Sequence, residues 1–167
     1  YKFTSKDFHE VADISRKCID YFTNELPAIP YPYPQITAFN GGGGMEFPGM
    51  INDGDSETRN GTLYLTAHEI GHSYYPFYTG LNEYKYAWMD EGLISFFPRL
   101  FTEKYTYAKN YNPFRVNVEI YNRFAGGFDD VPLMISSENT GRYAYRFQAY
   151  SRSSIAFYML YTYLGKE

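Results

Sequence analysis

His68 and His72 stand four residues apart in TLYLTAHEIGHSYY (62–75), so on a helix they share one face. Side chains at that spacing have Cβ atoms roughly 5–6 Å apart, and both imidazoles can reach one zinc ion at about 2.0–2.1 Å. Glu69, directly after the first histidine, points to the side and suits a base acting on water that a metal has acidified. Glu91 follows His72 with eighteen residues between them, in WMDEGLISFF (88–97). Two histidines and a carboxylate, with a fourth position open, make the ligand set of a catalytic zinc rather than a structural one. The plain alternative is a chance pair of helical histidines among solvated glutamates, and the second spacing argues against it.

These residues must be carried by two helices and a returning loop. The segment before His68 (Leu63, Leu65, Ala67) is compatible with a helix over about 60–75, with Pro76 as its stop signal. Pro76 and Gly80 turn the chain, and a second helix over about 85–104 brings Glu91 back, with Pro98 expected to kink or break it. Upstream, Phe8, Val11, Ile14, Cys18, Phe22 and Leu26 recur at helical steps over 6–26, capped by Thr4 or Ser5 and ended by Pro27. PAIPYPYP (27–34) excludes regular structure, QITAF (35–39) reads as a short strand, and INDGDSETRNG (51–61) reads as loop. Between them, GGGGMEFPG (41–49) lets a backbone pass close to another backbone or a ligand, with Glu46 at its end. Asn112-Pro113 opens a helix to Ala125, 126–141 is mostly loop, and a last helix runs over about 147–164 with Gly165 as cap. The expected core is Phe22, Leu63, Leu65, Ile70, Leu93, Ile94, Phe97, Ile120, Ile155, Phe157 and Leu160.

A chain of 167 residues supports one domain with a real core. Its net charge of −4, with both signs mixed, recommends neither nucleic acid nor an anionic membrane as partner, and no run of apolar residues is long enough to span a bilayer. A single cysteine, Cys18, excludes an internal disulfide framework and reads as a buried apolar residue. Twenty tyrosines suggest amphipathic packing and point to no function by themselves. The chain opens in mid-phrase without an initiator methionine, so it is expected to be a piece of a larger protein, and its compartment stays open.

Four separated segments resemble the gluzincin aminopeptidases, the family of aminopeptidase N and leukotriene hydrolase. The family's HExxH, eighteen residues, then Glu is matched by His68, Glu69, His72 and Glu91. Its Gly-x-Met-Glu-Asn resembles Gly43-Gly44-Met45-Glu46, followed here by Phe47 in place of asparagine. Trp88-Met89-Asp90-Glu91-Gly92 is similar to its Trp-Leu-Asn-Glu-Gly. Its Tyr-x-Lys-Gly corresponds to Tyr150-Ser151-Arg152-Ser153, where arginine and serine replace lysine and glycine.

The resemblance implies a mainly helical α+β fold, part of a thermolysin-like zincin catalytic domain, with an N-terminal β-sandwich and a C-terminal helical domain lying outside residues 1–167. It implies one zinc ion on His68, His72 and Glu91, Glu69 as base, and the Tyr150 hydroxyl as oxyanion donor. Glu46 would take the free α-ammonium of a peptide substrate, and the Gly43, Gly44 and Met45 backbone would hold the peptide along a strand edge. Asp90 is either a partner orienting a ligand histidine or a plain helix carboxylate. The expected activity is removal of N-terminal residues from peptides. A thermolysin-like endopeptidase, an inactive zinc-stabilised binding module and an epoxide hydrolase of the leukotriene type are the alternatives.

Overall fold

The computed structural model describes residues 8–165, so the expected caps Thr4 and Ser5 lie outside the described residues. The elements run α1 (Phe8–Asn24), β1 (Thr37–Phe39), β2 (Gly44–Phe47), β3 (Met50–Asp53) and α2 (Arg59–Gly71). A kinked π-helical stretch (Ser73–Tyr78), α3 (Ala87–Tyr105) and α4 (Arg115–Phe124) follow. A 3₁₀ turn (Ser137–Asn139), α5 (Arg142–Tyr145), a second π-helical stretch (Arg146–Arg152) and α6 (Ser153–Leu164) complete the chain. The class is α+β, mainly helical with one three-stranded sheet. Among the described residues no helix is long and apolar enough to cross a membrane.

Helix α1 is strongly amphipathic and turns Val11, Ile14, Cys18, Tyr21 and Phe22 inward. Helix α2 starts at Thr58, whose hydroxyl accepts the Gly61 N–H at 3.1 Å. The two helices meet α3 around Phe22, Leu63, Ala67, Ile70, Ile94 and Phe101, all fully buried. Each large side chain so buried contributes about 1.5–3 kcal/mol. Phe22 meets Tyr74 edge-on, with ring centroids 5.7 Å apart.

The sheet has the order β1–β3–β2, with β1 parallel and β2 antiparallel to β3. Segment 51–61, expected to be loop, therefore contributes the central strand. Its alternation Met50, Ile51, Asn52, Asp53 is exposed–buried–half-buried–buried, and four residues are too few for that period to stand out in a polar run. Thr66 on α2 donates to Asp53 Oδ2 at 2.6 Å and ties strand to helix.

Three further expectations need correction. The helix carrying His68 and His72 stops at Gly71 rather than 75, and the chain then passes into a π-helical stretch kinked at Tyr75 before Pro76. Pro98 does not break α3, which runs through it. The last helix is assembled from α5, a π-helical stretch and α6. Among the expected core residues, Phe22, Leu63, Ile70, Ile94 and Phe97 are buried, while Leu65, Leu93, Ile120, Ile155 and Phe157 are half-buried. Leu160 is exposed, because α6 turns inward on Ser153 and Ser154 instead.

Candidate metal centre

His68 lies in the last turn of α2 and His72 caps it in right-handed helical geometry, so the four-residue spacing survives to the helix end. Glu91 comes from the first turns of α3. His68 Nε2 and His72 Nε2 are 3.4 Å apart, and Glu91 Oε2 lies 3.3 Å from the first and 3.5 Å from the second. All three side chains are buried.

What lies behind the rings decides which nitrogen carries the proton. His68 Nδ1 faces the Ile94 carbonyl at 3.0 Å, and His72 Nδ1 faces Asp90 Oδ1 at 2.8 Å and the Tyr75 carbonyl at 3.1 Å. Each neutral ring therefore donates from Nδ1 and turns an Nε2 lone pair toward Glu91. Asp90, open between two roles from sequence, is the carboxylate that orients His72. Glu91 Oε2 is buried and has no hydrogen-bond partner. Three lone-pair atoms facing one another would be satisfied together by one cation between them. The point equidistant from atoms 3.4 Å apart lies about 2.0 Å from each (3.4/√3), the length of a zinc–nitrogen or zinc–oxygen bond. The residues fit zinc.

Pro98 supplies something the sequence did not suggest. A helix bonds each N–H to the carbonyl four residues earlier, and proline has no N–H. The carbonyl left without that donor is Ile94's, the one that receives His68 Nδ1. The interval from Ile94 to Pro98 could have revealed this.

In the metal-free protein, protons take the cation's place. Burial disfavours a charged His68, but Tyr64 and the Glu91 carboxylate outweigh it and raise its pKa to about 9. His72 is also shifted upward, with Asp90 and Glu91 overcoming burial. Burial works against the Glu91 carboxylate too, yet the two protonated imidazoles facing it hold it well below the usual range. Burial, helped by the Glu91 and Glu46 charges, lifts Asp90 to about 6 despite its bond to His72.

Glu69 sits beside this triangle, buried, with Oε2 unpartnered. Burial raises its pKa to about 7, where a carboxylate can both take and return a proton near neutrality. Its Oε1 abuts Gly44 so closely that any side chain there would collide with it and with Leu65. That contact explains a glycine in β2.

The register pairs Gly44 with Asp53 and Glu46 with Ile51, so Glu46 shares the sheet face that covers α2. Its carboxylate, His72 and Asp90 present ligand atoms within 4.8 Å of one another. Met45 and Phe47 alternate to the opposite, exposed face. Phe47, which stands where the resembling family has asparagine, thus points away from the metal ligands. β2 is an edge strand, and the Gly43 carbonyl accepts the Gly54 N–H at 2.9 Å.

Tyr150 reaches the centre from the second π-helical stretch, donating its hydroxyl to Glu91 Oε1 and stacking on His68 at 6.0 Å. Burial and the Glu91 charge push its pKa far up, so it keeps its proton. Tyr145, unmentioned in the motif, packs edge-on against it. The two replacements after Tyr150 are both engaged. Arg152 pairs with Asp130 at 2.5 Å and with the Val131 carbonyl at 3.0 Å. Ser153 is buried against Gly92, where a Cβ would lie 2.5 Å from its hydroxyl oxygen.

Compared with known proteins, the chain matches no family model and no curated protein sequence.

Proposed function

We propose that this chain is catalytic-domain sequence of a zinc-dependent aminopeptidase, built on a thermolysin-like zincin fold and resembling the gluzincin aminopeptidases. The observation that carries the reading is the triangle of His68 Nε2, His72 Nε2 and Glu91 Oε2, with Glu69 buried at its side. Zinc held there would act as a Lewis acid, acidifying water and polarising a carbonyl. Glu69 takes the proton of the attacking water and returns it to the leaving amine. The Tyr150 hydroxyl moves from Glu91 to the oxyanion, where a donor counts most in the transition state. Glu46 pairs with the α-ammonium on the His72 side, and an acylated or internal peptide has no such cation. The open edge of β2 at Gly43–Met45 aligns the peptide backbone.

The test is hydrolysis of an aminoacyl-arylamide and its N-acetylated counterpart by the intact zinc-loaded protein, with and without chelator. Cleavage of the free amine alone, lost with chelator and with Glu69→Gln at unchanged zinc content, is expected. Equal cleavage of the acetylated substrate would reassign the protein as an endopeptidase. Zinc binding without hydrolysis of any arylamide would leave a binding module.

A further inference from the structure

Tyr150 is held at the metal centre from behind, by a strap of chain that no motif marks. In the second π-helical stretch Gln148 and Arg152 are four residues apart and share a face. Tyr150, two residues from each, is about half a helical turn away and takes the opposite face, where it meets Glu91 and His68. The face with Gln148 and Arg152 grips residues 130–133. Arg152 donates to Asp130 Oδ1 at 2.5 Å and to the Val131 carbonyl at 3.0 Å. Gln148, fully buried, turns its amide nitrogen to the Pro132 carbonyl at 3.0 Å and the Leu133 carbonyl at 3.3 Å. Asp130 Oδ2 accepts the Gly126 N–H at 2.7 Å, which ties the strap to the end of α4. The other end of the strap is tied to the Tyr84 carbonyl, which accepts the Ser137 N–H at 2.9 Å and the Ser136 and Ser137 hydroxyls at 3.1 and 3.0 Å. Tyr84 lies just before α3, the helix that carries Glu91.

We infer that Arg152 is a positioning residue for Tyr150: clamped to the strap beside Gln148, it sets how far the Tyr150 hydroxyl reaches toward the metal ligands. The inference rests on the aminopeptidase reading for its kinetic consequence and adds a residue to it. Both partners of the Tyr150–Glu91 bond are referenced to one piece of chain, Tyr150 through the clamp and Glu91 through Tyr84 and α3. A hydroxyl that must leave Glu91 and meet an oxyanion has a narrow tolerance, since a 1 Å misplacement costs about 10²-fold in rate. A hydrogen bond between two charged groups is roughly twice as strong as a neutral one, which suits the Arg152–Asp130 pair to holding that position. An ion pair that only stabilised the loop would affect melting without acting through Tyr150.

The test is a double-mutant cycle on kcat for an aminoacyl-arylamide in the intact zinc-loaded protein, with Arg152→Gln, Tyr150→Phe and the two together. Arg152→Gln is expected to lower kcat about tenfold to hundredfold with little change in KM, and Arg152→Lys to recover part of the loss. In the Tyr150→Phe background the same change should cost nothing further. An unaltered kcat, or a loss that multiplies with that of Tyr150→Phe, overturns the inference and leaves the aminopeptidase reading standing. Should Arg152→Gln fail to fold, Asp130→Asn takes its place in the cycle, with the same outcomes at smaller size. Absence of arylamide hydrolysis by the wild type removes the aminopeptidase reading instead, and the position of Tyr150 is then read without turnover. In protein labelled with 3-fluorotyrosine, the fluorine resonance that Tyr150→Phe deletes should move in Arg152→Gln and return toward its wild-type place in Arg152→Lys, while tyrosines away from the strap stay put. A Tyr150 resonance unmoved by Arg152→Gln refutes the positioning role.

Discussion

The two histidines come from one helix and face one point, yet they are supported in different ways. His72 is backed by a charged carboxylate, Asp90, with Glu46 close by. His68 is backed by a neutral carbonyl and flanked by Tyr64 and Tyr150. One side of the centre is all acceptors and the other is rich in donors. On the proposed function, the difference would give the site a direction, with a substrate cation held beside His72 and an oxyanion beside His68. A symmetrical pair of ligands would bind the same metal and leave the substrate unoriented.

The largest effects should separate the two sides by kinetic parameter. Tyr150→Phe is expected to lower kcat by about 10²–10³-fold with little change in KM, as removal of an oxyanion donor does. Glu46→Ala should instead cost free-amine substrates about tenfold to hundredfold in kcat/KM, while residual turnover of N-blocked ones stays put. If steady-state kinetics show both variants losing the same parameter on the same substrates, the two-sided description fails.

The backing of the rings can be compared by metal affinity. Asp90→Ala should weaken zinc binding by about tenfold to hundredfold in competition with a chromogenic chelator. Pro98→Ala restores an N–H that competes for the Ile94 carbonyl, so it should weaken zinc by less than about tenfold. The same change removes an interior helix proline, so the metal-free protein should melt no lower than wild type. A Pro98→Ala protein with unaltered affinity would mean that His68 does not depend on that carbonyl.

The smallest and most graded effect is on pH. His68 has a folded-state pKa of about 9, above its ordinary 6.5, so in the metal-free protein it contributes stability below about pH 6.5 that is lost as pH rises through 9. Zinc needs the deprotonated ring, so the rise in Tm on adding zinc should grow between pH 6.5 and 9. A rise that is flat with pH would show that no ligand proton is displaced.

Much of the centre was legible because it is local. The His68–His72 spacing and the side position of Glu69 follow from helical geometry, which any helix over 62–72 imposes. Asn112-Pro113 was expected to cap and open a helix, but α4 begins at Arg115 with Phe114 as its N-cap, and the Asn112 side chain accepts the Phe114 N–H at 3.0 Å in the turn before it. The strand at 50–53 was not legible, since strands this short stand on pairing with distant partners rather than on their own pattern. Phe47 looked like a change at the site until the register sent it to the other face.

The sequence by itself determined the ligand types, their spacing and the mainly helical α+β class, because side-chain chemistry and the helical repeat belong to the chain. Only the tertiary structure decided that Glu91 closes the triangle, that Glu46 faces α2, that Pro98 frees a carbonyl for His68, and that Tyr150 reaches Glu91 and His68. Each of these joins residues from separate elements, and their meeting depends on how those elements pack, which no local period encodes.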